Sequence, residues 1–311
     1  MLSSTAEKIY WISRYTERAE NTARLVNVNI NLLLDIPHDR VSDFIHLVEI
    51  TSDVEHFNET LLRKKIFYSS DPAAFKELVL EFVIYDTKNP GSIASCIEMT
   101  KYNSRYLRTI LSKISWEQLN NLHADFSNSN KNVKNSDVLL KLINNSRTFF
   151  STIADAMSRD HVFDFIKLGR FIERADMITR IVDSICTSDE KEGTIDLSTL
   201  EWVNLLKTLS AHQAYRKVSR GEIIKDSVIG FLFKDDSFPR SIFRCLTIIK
   251  KSFQNLPKND EALLFIDKFL ENLKSSRIGK YDNERIHVFI DSTQKKISTI
   301  DQLIQKSYFN N

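Results

Sequence analysis

The sequence predicts an all-α protein, a large helical bundle formed by two diverged copies of one helical unit. Its 311 residues include only six Gly and five Pro, too few for the many tight turns of a β-protein. Hydrophobic residues make up 42% and charged residues 27%, the balance of a chain with a sizeable core. Long segments in which apolar residues recur at helical spacing also predict helices, and a similarity between the two halves indicates the two copies.

The helices of the first half follow from apolar residues that recur every three or four positions. The first helix is predicted from Ala6 to Leu34, which contains no Pro or Gly, and Pro37 is expected to lie beyond its end. Pro90 is predicted in the first turn of the fourth helix, where no backbone donor is needed. The later helices of this half are predicted at 41–57, 73–85, 90–111, 116–126 and 137–157.

The second half shows the same periodicity. Its helices are predicted at 162–186, 197–217, 222–233, 239–254, 261–275 and 280–306.

Three pairs of similar segments indicate an internal duplication. The clearest pairs Arg14–Glu20 with Arg170–Asp176 at an offset of 156 residues. Phe82, Asp86, Pro90, Ser92, Ile93 and Cys96 match Phe231, Asp235, Pro239, Ser241, Ile242 and Cys245 at an offset of 149. Leu47, Val48 and Ser52 match Leu205, Leu206 and Ser210 at an offset of 158. We therefore expect repeats at 1–155 and 156–311, packed about a pseudo-two-fold axis as one unit of 311 residues.

A Glu-Arg cluster recurs in both predicted copies and is the main candidate site. Its members are Arg14, Glu17, Arg18, Glu20 and Arg24 in the first copy and Arg170, Glu173, Arg174, Asp176 and Arg180 in the second. Arginine suits a buried ion pair because its planar guanidinium stays charged and binds carboxylates through two bonds. The cluster is either such a structural network, a pocket for an anionic or peptide carboxylate ligand, or a solvated face. We expect Arg14, Glu17 and Arg18 to approach Arg170, Glu173 and Arg174, with at least one arginine mostly buried.

Two predicted helix starts are candidate anion sites. Free amides at a helix N-terminus attract phosphate or carboxylate groups, and the residues placed there are Ser92, Arg240 and Ser241. The alternative is an ordinary N-terminal turn.

Charge and motif content exclude several function classes. The formal net charge is +2, with both signs interleaved, unlike the basic stripe of a nucleic-acid binder. Apolar runs fall short of the roughly 18 residues of a membrane span, and the charged first residues are unlike a signal peptide. The three Cys are widely spaced, which favours a reducing cytoplasm. Phosphate-loop, dinucleotide and hydrolase motifs are absent, and only Glu284-x-x-His287 matches the spacing of a di-iron ligand pair, so no cofactor or metal is predicted.

The ordered set of motifs resembles the bacterial alpha-E family, named for an all-helical domain with a Glu-Arg motif. The similar segments include Tyr15–Asn21, Phe171–Asp176, Pro90–Ile93 and Phe238–Ser241. The resemblance implies a genetic context in which members are encoded beside, or fused to, a circularly permuted ATP-grasp ligase, often with a transglutaminase-like protease.

This context implies a non-catalytic or substrate-presenting partner of an amidoligase in peptide synthesis or modification. The alternatives are an enzyme or carboxylate-binding protein that uses the Glu-Arg helices, and an oligomeric scaffold.

Overall fold

The computed structural model describes residues 2–32, 44–64, 72–129, 135–188, 195–219 and 221–309. These residues form α-helices and turns without a β-strand, which confirms the all-α prediction. The helices are α1 (Ser3–Leu32), α2 (Ile45–Thr51), α3 (Val54–Lys64), α4 (Pro72–Ile84), α5 (Ile93–Ser104), α6 (Lys113–Ser127), α7 (Asn135–Ala156), α8 (His161–Ser188), α9 (Ile195–Thr208), α10 (His212–Val218), α11 (Lys225–Lys234), α12 (Ile242–Gln254), α13 (Asp260–Ser275) and α14 (Asn283–Ile304). Pro37 lies outside the described residues.

The chain forms two compact units. The first-half unit is Tyr15–Ala156, and the second-half unit joins Met1–Arg14 to Met157–Asn311. Helix α1 thus contributes its first turns to one unit and the remainder to the other. The change of unit at residues 156–157 falls beside the repeat boundary predicted from sequence, while the duplication itself stays a prediction.

In the first-half unit, α4 packs against α2 and α5, and α6 packs against α5 and α7. Their shared core includes the fully buried Phe57, Phe82 and Phe149. In the second-half unit, α8 packs against α12 and α14, and α13 also contacts both of these helices. None of the described helices has the length and apolar character needed to cross a membrane.

Two predicted helices are each broken into two. The segment predicted at 41–57 divides because α2 ends at Thr51, and Ser52 takes an extended backbone conformation. Asp53 Oδ1 then accepts hydrogen bonds from the amides of Glu55 and His56, which begins α3.

The segment predicted at 197–217 divides in a different way. Helix α9 ends in a turn where Ser210 has φ 52°, a left-handed conformation usually adopted by glycine. The amide of Ala211 closes this turn by donating to the carbonyl of Leu206 at 2.7 Å. Ser52 and Ser210, which the sequence comparison pairs, both follow the end of a helix.

The prediction that Pro90 lies in the first turn of a helix is wrong. Helix α5 begins at Ile93, and Ser92 is its N-cap because the Ser92 hydroxyl accepts from the amide of Ser95 at 3.0 Å. Pro239 likewise precedes the N-cap Ser241, which accepts from the amide of Arg244 at 3.0 Å. The helices begin after the serine rather than at the proline, because the serine side chain satisfies an otherwise unpaired amide in the first turn.

His287 and Asp183 link α14 to α8 through a 2.7 Å contact between Nδ1 and Oδ1. The hydrogen bond and charge of Asp183 raise the pKa of His287, while burial of Asp183 raises the pKa of that carboxyl despite the histidine. Protonated His287 is therefore favoured in the folded protein. Its stabilisation is complete below the pKa of an unfolded histidine, about 6.5, and is lost as pH rises through the higher folded value.

We expect NMR titration of His287 to give a pKa above that of an unstructured histidine, and Asp183→Asn to lower it. The associated stability change is small, about 0–1 kcal/mol, because the imidazole is half exposed. An unchanged titration in Asp183→Asn would contradict the assigned cause.

Candidate functional site

Arg14 lies at the centre of a buried ion-pair network in the second-half unit. The Arg14 side chain in α1 donates from Nε to Glu173 Oε2 of α8 at 2.8 Å. Its Nη1 lies 3.0 Å from Asp301 Oδ1 of α14. Arg14 is 9% exposed and Glu173 is 1% exposed, so both charges are withdrawn from water. The network therefore ties three helices together through one guanidinium.

Tyr10 completes this network one helical turn before Arg14. Its hydroxyl donates to Asp301 Oδ1 and accepts from Arg14 Nη1 at 3.3 Å. Burial raises the pKa of Tyr10 well above its usual value, and Asp301 adds to the effect although Arg14 opposes it. The phenol consequently stays protonated and serves as a donor.

The guanidinium of Arg14 also contacts aromatic rings and remains charged. It lies 5.7 Å from the Tyr10 ring centroid and 5.2 Å from that of Trp11, within cation–π range. Burial by itself would lower the pKa of Arg14, but the negative charges around it, including Glu173 and Asp301, raise it instead.

Gly169 allows α1 and α8 to approach closely enough for this network. A Cβ at Gly169 would overlap the backbone carbonyl oxygen of Tyr10 and lie 3.1 Å from Ser13 Cβ. Arg14 and Glu173 follow on the same two helices.

Three cluster members in the first-half unit are also buried. Glu17 and Glu20 are 0% exposed and Arg24 is 8% exposed. Arg24 contacts Glu20 Oε1 through Nε at 2.9 Å and through Nη2 at 2.5 Å. Asn21 Nδ2 donates to Glu17 Oε1 at 3.4 Å. These side chains do not form the solvated face that remained an alternative from sequence.

The remaining cluster members have mixed environments. Arg174 is 4% exposed, donates to the carbonyl of Pro239 at 3.4 Å and lies 5.0 Å from the Phe171 ring centroid. Arg180 is bound to Asp176 at 2.8 Å but is half exposed, so this pair is an ordinary surface ion pair. Arg18 and Arg170 are partly buried.

The helix-start candidates serve the fold. Ser92 and Ser241 are 0% exposed, and their hydroxyls bind amides of their own helices. Arg240 is 8% exposed. An anion-binding role for these three residues stays a prediction.

Sequence reasoning missed Tyr10, Asp301 and Gly169. Tyr10 carried a usable signal, because it lies four residues before Arg14 and therefore on the same helix face. Asp301 carried none, since its contact with Arg14 joins residues far apart in the chain. In the described part of the chain, no three or more His, Cys, Asp or Glu side chains form a group that could hold a metal ion.

Comparison with known proteins identifies the family. A family model described as Alpha-E, "a predicted alpha-helical domain with a conserved ER motif", matches residues 1–309. Uncharacterized proteins of Mycobacterium bovis and Mycobacterium tuberculosis are each 21% identical to the chain over 264 residues, which is 80% of this chain. The matched region spans only 29% of the length of these relatives. No solved structure shows a significant match. Because the family model covers almost the whole chain, the protein belongs to the Alpha-E family.

Proposed function

We propose that this protein is a non-catalytic helical partner of a circularly permuted ATP-grasp amidoligase, acting with a transglutaminase-like protease in peptide synthesis or modification. The environment of Arg14 is the observation that supports a non-catalytic role. Its guanidinium is buried and engaged by two carboxylates and two aromatic rings.

Such an arrangement suits structure better than proton transfer. An arginine beside a carboxylate favours the charged form of both groups, whereas a general acid or base must change protonation near neutral pH. The Glu-Arg motif therefore stabilises the helices that carry it and leaves recognition to other surfaces.

The partner half of the proposal rests on context. The family resemblance implies neighbouring or fused ligases, and the mycobacterial relatives contain much additional sequence beyond the matched 29%. A helical unit that works beside other domains would account for the implied genetic context and for the additional length of these relatives. The proposed location is the cytoplasm, where ATP is available to the ligase, and self-association remains compatible with it.

The test is to purify the chain and the ligase encoded beside it, separately and together, and to incubate each with ATP and candidate peptides. We expect co-purification, no ADP release by the chain alone, and faster or more specific peptide modification by the pair. Mass spectrometry and ADP release provide the two readouts.

Turnover by the isolated chain that disappears in Glu17→Gln or Glu173→Gln, while Arg180→Gln retains it, would contradict the proposal. Circular dichroism of each variant separates loss of activity from loss of folding.

A further inference from the structure

A cleft of about 610 Å³ in the first-half unit lies apart from the Glu-Arg cluster. Helices α3, α4 and α5, the loop after α4 and the end of α6 provide its walls. Its volume falls in the range of ligand sites, roughly 300–1,000 Å³. It is lined by both aromatic and charged side chains, the combination that gives a pocket affinity and orientation.

The aromatic part of the lining is held in place by its neighbours. Tyr85 stacks on Phe126 with ring centroids 5.9 Å apart, and its hydroxyl donates to Asn135 Oδ1 at 3.0 Å. Phe82 of α4 is 1% exposed and contacts the buried Phe57 of α3 with ring centroids 5.0 Å apart, which holds the two helices together. These rings lose little further freedom when a ligand binds, which lowers the entropic cost of binding.

The loop after α4 is fixed as well. Asn89 is 0% exposed and donates from Nδ2 to Ser52 Oγ at 2.8 Å and to the Phe82 carbonyl at 3.0 Å. Its Oδ1 accepts from the amide of Gly91 at 3.0 Å. The cleft is therefore preformed on the loop side.

The charge of the lining is negative. The lining contains three carboxylates, those of Glu81, Asp86 and Glu98, and one ammonium group, that of Lys88. Asp86 Oδ1 accepts from the amide of Lys88 at 2.8 Å, which fixes the position of this carboxylate. Asp86 and Glu98 stand on different walls, so a cationic group between them would be attracted from two sides. Aromatic rings beside the carboxylates favour the same kind of ligand through cation–π attraction.

One face of α5 carries an exposed tyrosine beyond the residues that line the cleft. Ala94, Glu98 and Tyr102 follow at intervals of four residues, and the first two line the cleft. Tyr102 is 52% exposed and contacts the 58% exposed Tyr106 edge-to-face at 6.0 Å. Exposed tyrosines in line with a cleft give an extended ligand a second contact beyond the first.

We propose that this cleft binds an extended peptide segment in which a lysine or arginine side chain stands beside apolar residues. The cationic group lies between Asp86 and Glu98, the apolar neighbours contact Tyr85 and Phe126, and the adjoining peptide passes over Tyr102. This site does not depend on the ligase proposal, since it is formed by the first-half unit alone.

The test is fluorescence polarisation with the full chain and a labelled, end-capped pentapeptide that carries lysine between two leucines. A matched peptide with norleucine in place of lysine keeps the apolar stem and removes the charge. We expect saturable binding of the lysine peptide, weakened by added salt, and about tenfold weaker binding of the norleucine peptide.

Glu98→Lys is expected to weaken binding of the lysine peptide about tenfold or more, because it reverses one of the two attracting charges. Glu117→Lys is the matched control, since Glu117 is a half-exposed helix carboxylate outside the lining. Tyr102→Ala should weaken binding of the peptide but leave competition by free lysine amide unchanged.

Equal binding of the two peptides, no binding of either, or equal losses in Glu98→Lys and Glu117→Lys would overturn the proposal. Free lysine amide that competes as strongly as the peptide would show a small-amine site and would also overturn it. Both glutamates are on exposed helix surfaces, and circular dichroism verifies that each variant is folded.

Discussion

Replacing Arg14 with Met is expected to destabilise the second-half unit by about 3–5 kcal/mol, because it leaves the Glu173 carboxylate buried without its guanidinium. Methionine keeps most of the length of the apolar stem and removes the guanidinium, so the loss reports the charged group rather than the packing of the stem. Asp301 would still accept a hydrogen bond from Tyr10, so the loss of its contact with Arg14 contributes less to the destabilisation. Chemical unfolding followed by circular dichroism measures the change in free energy of unfolding.

Arg180→Met is the matched control for this prediction. Arg180 is paired with Asp176 at the same 2.8 Å separation, yet it is half exposed. Its removal should cost less than about 1 kcal/mol. Similar losses of unfolding free energy in the two variants would mean that burial does not increase the contribution of the Arg14 network to stability.

Gly169→Ala is expected to have a second large effect, a loss of about 3 kcal/mol or more. The new Cβ would overlap the carbonyl oxygen of Tyr10, a backbone atom that cannot rotate away. Helices α1 and α8 must then separate, which also lengthens the Arg14–Glu173 contact. The change in thermal midpoint and in free energy of unfolding measures the effect.

Gly230→Ala provides the control in α11, where an added Cβ meets nothing within 4 Å. There alanine should be neutral or stabilise the helix by up to about 1 kcal/mol. Equal tolerance of alanine at both positions would disprove the close approach of α1 and α8.

The helices and the recurring motif could be predicted from sequence because they depend on local periodicity. The segments predicted at 6–34 and 162–186 correspond to α1 and α8 within a few residues. The breaks after Thr51 and Thr208 were missed for different reasons. Asp53 was a readable cap signal, whereas the left-handed Ser210 stands where glycine is the usual indication.

The surroundings of the motif could not be predicted. Helical periodicity places Glu17, Glu20 and Arg24 opposite the apolar face of α1, and on that evidence alone they resemble a solvated face. The structure buries all three, because other parts of the chain cover that side of the helix. Gly169 shows a similar limit, since Gly230 also lies inside a helix but has open space around it.

The contacts of the motif depend on residues that are distant in sequence. Asp301 joins Arg14 across nearly the whole chain, and no spacing rule connects them. The candidate cleft likewise combines residues of four helices and one loop. Such groupings follow from tertiary packing and require coordinates.

A double-mutant cycle on Arg14 and Glu173 tests the structural role of the Glu-Arg motif most directly. The free energy of unfolding is measured for the parent, Arg14→Met, Glu173→Met and the double variant. We predict that the double variant loses less stability than the sum of the two single variants, with a coupling of about 2–3 kcal/mol, because each single variant leaves one partner of the buried pair without the other and the double variant removes both. Losses that add within about 0.5 kcal/mol would contradict the account and show that the two residues act independently.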